Sequence, residues 1–231
     1  MMTMTETKPS RRDRNMRDKR DRIFRAASEL LAEQGFEAVT TQEIAERADV
    51  AAGTLFRYAA TKGELLLMVY NEAFRSALTE GERRAAHLTD PTAAITALLE
   101  PVVARARTDA ANSAAYQREV LFGATSERYR TEAVALVTDL EDSLARILNA
   151  AAERSGTSPS AAAVRAASAS IFAAMHLTIA RLSTRARPHA DTIDDLRLQV
   201  SQIVAGALST TTRTPGSAML SRAHKEKEKS T

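Results

Sequence analysis

Thr40-Thr41-Gln42-Glu43-Ile44-Ala45-Glu46-Arg47-Ala48-Asp49-Val50-Ala51-Ala52-Gly53-Thr54-Leu55-Phe56-Arg57-Tyr58 is the stretch that decides the fold. Thr40 and Glu43 have the spacing of a capping box, in which each side chain bonds the other residue's backbone N–H, so a helix opens after Thr40. Ile44, Ala45 and Ala48 give that helix a short apolar face. Asp49 to Ala52 break it, and another short helix is expected over residues 53–58. Two short helices joined by so tight a turn have helix-turn-helix geometry: the first crosses a DNA backbone and the second enters the major groove. The residue types agree. Thr40, Thr41 and Gln42 stand at a helix N-terminus, where unpaired N–H groups and the helix dipole attract phosphate.

The neighbouring sequence completes a three-helix unit. Upstream, Ile23, Ala27, Leu30 and Leu31 fall on one helical face, from about Asp18 to Gly35. The glycine is a helix stop followed by an apolar partner, Phe36. Downstream, Thr61 caps a helix that starts at Lys62 and carries Leu65, Leu66, Val69 and Phe74.

Beyond it the helical period continues. Ile95, Leu98, Leu99 and Val102 follow Pro91, and Pro101 inside that run is expected to kink or divide it. Further helices are expected over residues 114–123, 130–154, 160–185 and 191–209, the third of these opened by Ser158-Pro159 and ended by Pro188. No period-2 segment and no fixed-length repeat occurs. The expected fold is all-α: an N-terminal three-helix DNA-binding unit followed by a larger helical domain. The expected boundaries are a basic flexible arm at 1–17, the helix-turn-helix domain at 18–66, the helical domain at 67–212 and a lysine-rich tail at 213–231.

Composition narrows the class. The chain has 231 residues, 44% hydrophobic and 26% charged, enough to build a core. There is no run of roughly 18–20 apolar residues and no apolar segment behind the charged N-terminus, so a soluble chain without a secretory leader is expected. Cysteine is absent, which excludes disulfides, thiolate metal sites and cysteine nucleophiles, and fits a cytoplasmic protein without requiring one. The net charge of +3 hides an asymmetry: +5 over residues 1–25, −5 over 26–212 and +3 over 213–231. A basic end on an acidic body suits an electrostatic approach to nucleic acid. His87, His176, His189 and His224 form no HExxH, and none has a Glu three residues before it. No phosphate-binding glycine loop is present. No metal, cofactor or catalytic residue is therefore expected, and a helical-bundle enzyme is the remote alternative.

The segment Ala26-Ala27-Ser28-Glu29-Leu30-Leu31-Ala32-Glu33-Gln34-Gly35-Phe36, the quoted stretch above, and Lys62-Gly63-Glu64-Leu65-Leu66 together resemble the DNA-binding domain of TetR-type transcriptional regulators. The resemblance covers about residues 20–66. It implies that Thr41, Lys62 and the Tyr58 hydroxyl touch phosphate. Thr54 and Arg57 face base edges, with Gln42 beside them, and Gly53 lets the helix approach the groove. Arg57 is the best candidate for specificity, since Arg pairs bidentately with guanine. Four positions depart from the family pattern. Phe56 replaces a tyrosine, leaving a ring without the phosphate-directed hydroxyl; it stands among the DNA-binding candidates, with core packing as the favoured expectation. Asp49 replaces a turn glycine, Ala51 a capping Ser/Thr, and Ala59 a large aromatic that packs the small core.

The resemblance further implies a palindromic DNA operator bound by a homodimer, with the two C-terminal helices of each subunit forming the interface. The second half would enclose a small-molecule effector, with Tyr116, Phe122, Phe172, Met175 and His176 as candidate lining. Low aromatic content favours an aliphatic or acyl effector. The implied function is a ligand-released repressor in the cytoplasm at the nucleoid, with an activator or effector-independent regulator of the same fold as the alternative.

Overall fold

A computed structural model describes residues 10–123, 128–184 and 192–209. Among these, nine helices follow in order: α1 Arg11–Gln34, α2 Thr41–Arg47, α3 Ala52–Leu55, α4 Lys62–Ala85, α5 Pro91–Thr108, α6 Ala110–Phe122, α7 Arg128–Ser155, α8 Ala161–Thr184 and α9 Thr192–Ser209. The all-α architecture stands as expected. The lysine-rich tail at 213–231, residues 1–9 of the arm and the break at Pro188 lie outside the described residues.

Helix ends follow local chemistry. Thr40 and Glu43 form the reciprocal capping box before α2. Thr61 caps α4 through Glu64 N, and Asp90 caps α5 ahead of Pro91. Gly35, at φ 80°, closes α1.

Three expectations need correction. The arm does not stay irregular to residue 17: α1 begins at Arg11, because Ser10 and Asp13 form a capping box of their own. Its first two turns are polar on all sides, so no apolar period betrays them. Pro101 lies inside α5 and does not divide it. Leu98, Leu99, Val102 and Val103, on either side of it, are all buried, and their burial holds both halves in one helix. Finally, α3 is a single turn ending at Leu55, with residues 56–58 in turns.

Two apolar clusters form. One gathers α1, α2, α3 and the first half of α4, and it also takes in Ala115 and Val120 of α6 and Tyr129 and Ala133 of α7. The other is built by the far half of α4 with α5, α7, α8 and α9. α4 thus belongs to both, crossing the boundary expected at residue 66. It approaches α5 closely at Gly81, where a Cβ would lie 2.1 Å from the Leu98 carbonyl oxygen.

α8 is the one described helix long and apolar enough, by length and composition, to cross a membrane. In the fold its Val164, Ala167, Ile171, Met175, Ile179 and Leu182 sit in the second cluster. Its outward face presents Ala162, Ala166, Ala169, Ala173 and Leu177.

Candidate functional site

The helix-turn-helix is fixed by its turn. Asp49 takes φ 51°, a left-handed conformation that Asp tolerates better than most residues. Its carboxylate also accepts from Arg22 Nη1 at 2.9 Å, tying the turn to α1. Behind it, Ile44, Ala45, Leu55 and Ala59 are buried. α3 has no side-chain cap, as expected from Ala51.

The candidate DNA-facing residues divide by what they already hold. Thr40 spends its hydroxyl on Glu43, at 2.8 Å. Gln42 donates to Glu46 at 2.8 Å along the exposed side of α2. The Tyr58 hydroxyl donates to the Met16 carbonyl at 3.3 Å, joining α3's trailing turn to the start of α1. Lys62 donates to the Glu37 carbonyl at 3.0 Å and lies 4.7 Å from the Phe36 ring centre. Thr41, at the start of α2, and Thr54, the third residue of α3, are half-buried. Gly53 is exposed, with open space where a Cβ would stand. Arg57 is exposed, and its guanidinium has no hydrogen bond or ion pair among the described residues, although its backbone N–H donates to the Thr54 carbonyl at 3.1 Å. The packing expected of Phe56 is not found: its ring is 47% exposed, beside Arg57. Leu55 and Ala59, four apart, take the inward positions, and Phe56 is turned outward.

A second site lies where α4, α5, α6 and α8 meet. Together with Val137 of α7 they surround a narrow cavity that opens to solvent. Tyr116, Phe172, Met175 and His176 line it. Phe122 does not, and the expectation is corrected: it is 81% exposed at the end of α6. The α6 face turned to the cavity is Ser113, Tyr116, Gln117 and Val120, and Phe122 falls on the opposite side. The sequence reading missed the α4 wall, where Tyr70, Ala73, Phe74 and Ala77 recur at helical spacing. It also missed Val102 and Arg105 of α5.

The two sites are connected through the stacked rings of Tyr70 and Tyr116, centroids 5.8 Å apart. The Tyr70 hydroxyl donates to Asp109, which accepts from Asn112 Nδ2 at 2.9 Å. Asn112 also donates to the Leu31 carbonyl at 2.8 Å and accepts from Phe36 N at 2.6 Å, so it bridges the end of α1. The Tyr116 hydroxyl donates to Asn71 at 3.0 Å, and Asn71 donates to the Tyr129 carbonyl at 2.9 Å. Tyr129 N in turn donates to the buried Glu64 carboxylate at 2.8 Å, in the first turn of α4. Burial, with the Asp109 carboxylate second, pushes the Tyr70 hydroxyl above its ordinary value, and burial does the same to Tyr116. Both tyrosines keep their protons and remain donors.

Residues 23–69 match the model of bacterial regulatory proteins of the tetR family. That segment is a TetR-family DNA-binding domain. The chain is 40% identical over 77 residues to the transcriptional regulator TcmR of Streptomyces glaucescens, covering 32% of this chain and 34% of that protein. It is 39% identical over 69 residues to the transcriptional repressor KstR of Mycolicibacterium smegmatis, covering 30% and 34%. The match thus spans about a third of the length of these curated relatives. The TetR fold extends further than that. FadR of Thermus thermophilus, a TetR-family repressor solved with lauroyl-CoA, superposes with a TM-score of 0.67 at 25% identity, over 85% of this chain and 99% of that one. FadR of Bacillus subtilis, solved with stearoyl-CoA, has a TM-score of 0.61 at 21% identity, over 81% and 98%, and shares the fold.

Proposed function

We propose that this TetR-family protein is a homodimeric, sequence-specific DNA-binding repressor that a small apolar effector releases from a palindromic operator. The observation that carries the reading is the buried polar path from the cavity wall to the DNA-binding unit. Two stacked tyrosines in the wall are tied, through Asp109–Asn112 and through Asn71–Tyr129, to backbone at the end of α1 and to the start of α4. An effector that displaces them favours a state with those bonds broken. Such an effector must bind the DNA-incompetent state more tightly than the competent one.

In this reading Arg57 and Thr54 face base edges and Gln42 stands beside them. Thr40, Thr41, Gly53, Tyr58 and Lys62 lie against phosphate, with Phe56 presented toward the duplex. Arg57 is the cation held ready, with no intramolecular partner among the described residues to surrender. The small-residue stripe of α8 together with α9 forms the dimer interface, setting recognition helices one DNA turn, roughly 34–36 Å, apart. The domain division follows: residues 11–61 with the start of α4 read DNA, and the remaining helices bind effector and partner. The cavity suits an acyl or aliphatic chain, and lauroyl-CoA in Thermus thermophilus FadR supports that class. No catalytic role is assigned, and the protein acts in the cytoplasm at the nucleoid.

Selection of bound duplexes from a random DNA pool tests the reading, with wild type and Arg57→Ala side by side. Wild type should enrich a near-palindrome and the variant should relax it at specific positions. No enrichment at low salt, where phosphate attraction is strongest, overturns it.

A further inference from the structure

The cavity's polar wall groups are mostly taken. Tyr70 donates to Asp109, Tyr116 to Asn71, and Gln117 Nε2 to the backbone carbonyl of His176 at 3.1 Å. The His176 ring is not taken. Both of its nitrogens are shut off from water and have no hydrogen-bond partner among the described residues. The ring is held in place: Phe172 meets it edge-on with centroids 4.7 Å apart, and Gln117 fixes its backbone. A buried imidazole ordinarily satisfies both nitrogens, and leaving them unpaired costs stability that a leucine or phenylalanine here would not. Burial lowers its pKa, so the ring is neutral and offers one donor and one acceptor.

We infer that the effector is an apolar molecule carrying one uncharged oxygen, a hydroxyl or a carbonyl, which hydrogen-bonds to His176. A plain hydrocarbon leaves the ring unpaired. A carboxylate brings a charge beside a neutral ring, and Arg105, the other basic residue of the wall, is exposed. The inference rests on the cavity being the effector site.

The test uses the full chain and four ten-carbon probes: n-decane, 1-decanol, 2-decanone and decanoate. Each displaces 1-anilinonaphthalene-8-sulfonate, whose fluorescence is free of tryptophan background because the chain has none. For wild type, 1-decanol and 2-decanone should compete at about tenfold lower concentration than n-decane, the size expected of one buried hydrogen bond. In His176→Leu that difference should vanish with n-decane unchanged, and His176→Gln should restore it. Thermal melts confirm that both variants fold. A tenfold preference that survives His176→Leu overturns the inference, and so does a preference for decanoate. If no probe displaces the dye from wild type, the cavity is not an effector site, and both readings fall together. Operator selection tests the DNA-binding reading separately.

Discussion

Asn112 Oδ1 accepts from Phe36 N at 2.6 Å, joining α6 to the chain immediately before the helix-turn-helix. The same side chain donates to the Leu31 carbonyl. One buried amide therefore satisfies two backbone groups at the end of α1, far from it in sequence. Replacing Asn112 by Ala strands both in a dry environment. The expected cost is about 2–6 kcal/mol, at roughly 1–3 per orphaned group, measured by urea unfolding. A loss below about 1 kcal/mol means water takes over both bonds.

Tyr70→Phe and Tyr116→Phe keep the rings and remove the two hydroxyls that begin the polar paths. Each variant should fold and bind DNA, while an effector that releases wild type should release the double variant less completely. The readout is operator affinity with and without effector. Release equal to wild type would show that coupling travels by another route.

Gly81→Ala places a methyl group where the Leu98 carbonyl oxygen stands 2.1 Å away. Backbone cannot rotate aside as a side chain can, so α4 and α5 must separate. Overpacking of this kind costs about 1–3 kcal/mol, enough to lower the melting temperature by several degrees. Gly53→Ala, with open space around it, is the control and should leave stability nearly unchanged.

Asp49 combines a left-handed backbone with the Arg22 ion pair. Asp49→Val should destabilise by about 1–2 kcal/mol, because a β-branched residue is strained at positive φ. Asp49→Gly should fall within about 0.5 kcal/mol of wild type, since it relieves the backbone while losing only an exposed pair. Equal effects in the two variants would deny the turn its conformational role.

His176 gives the fold a pH dependence of defined sign. Its folded pKa lies below the ordinary 6.5 because burial disfavours the charged ring. Above that value both folded and unfolded chains are neutral at this position, and it contributes no pH dependence. As pH falls below it, the unfolded chain takes up a proton that the folded chain resists, and stability drops. Urea midpoints at about pH 7.5 and about pH 5.5 should converge more closely in His176→Leu than in wild type. An unchanged difference would mean the ring titrates freely.

Legibility from sequence followed the physics of each signal. Caps and stops are local, so Thr40–Glu43, Thr61 and Gly35 marked helix ends directly, whereas the Asp90 cap before Pro91 went unread. The start of α1 was missed because hydrophobic period was the criterion and Arg11 to Met16 are solvated all round. Pro101 left division of α5 open because helix propensity is a local term, and four buried neighbours decide against division. Phe122 and Phe56 misled because an aromatic residue was equated with burial, whereas one residue's step along a helix turns a side chain by about 100°. The cavity wall on α4 is the deeper omission. Its spacing was visible in Tyr70, Phe74 and Ala77, but whether an apolar face meets another helix or an empty space depends on how four helices assemble.

The tight seat of Gly81 on Leu98 gives α4 a fulcrum. From Gly81 to Lys62 the helix runs 19 residues, about 28 Å at 1.5 Å per residue. Pinned at one end by backbone-to-backbone contact, it cannot slide lengthwise without separating from α5, but it can swing. A tilt of about 5° at the pinned end sweeps Lys62 through about 2.5 Å, which approaches the 3.4 Å rise of one base pair. In the proposed reading, a cavity between the pivot and the free end would gain leverage: a displacement too small to disturb the core there would become a misregister of the reading head on its groove.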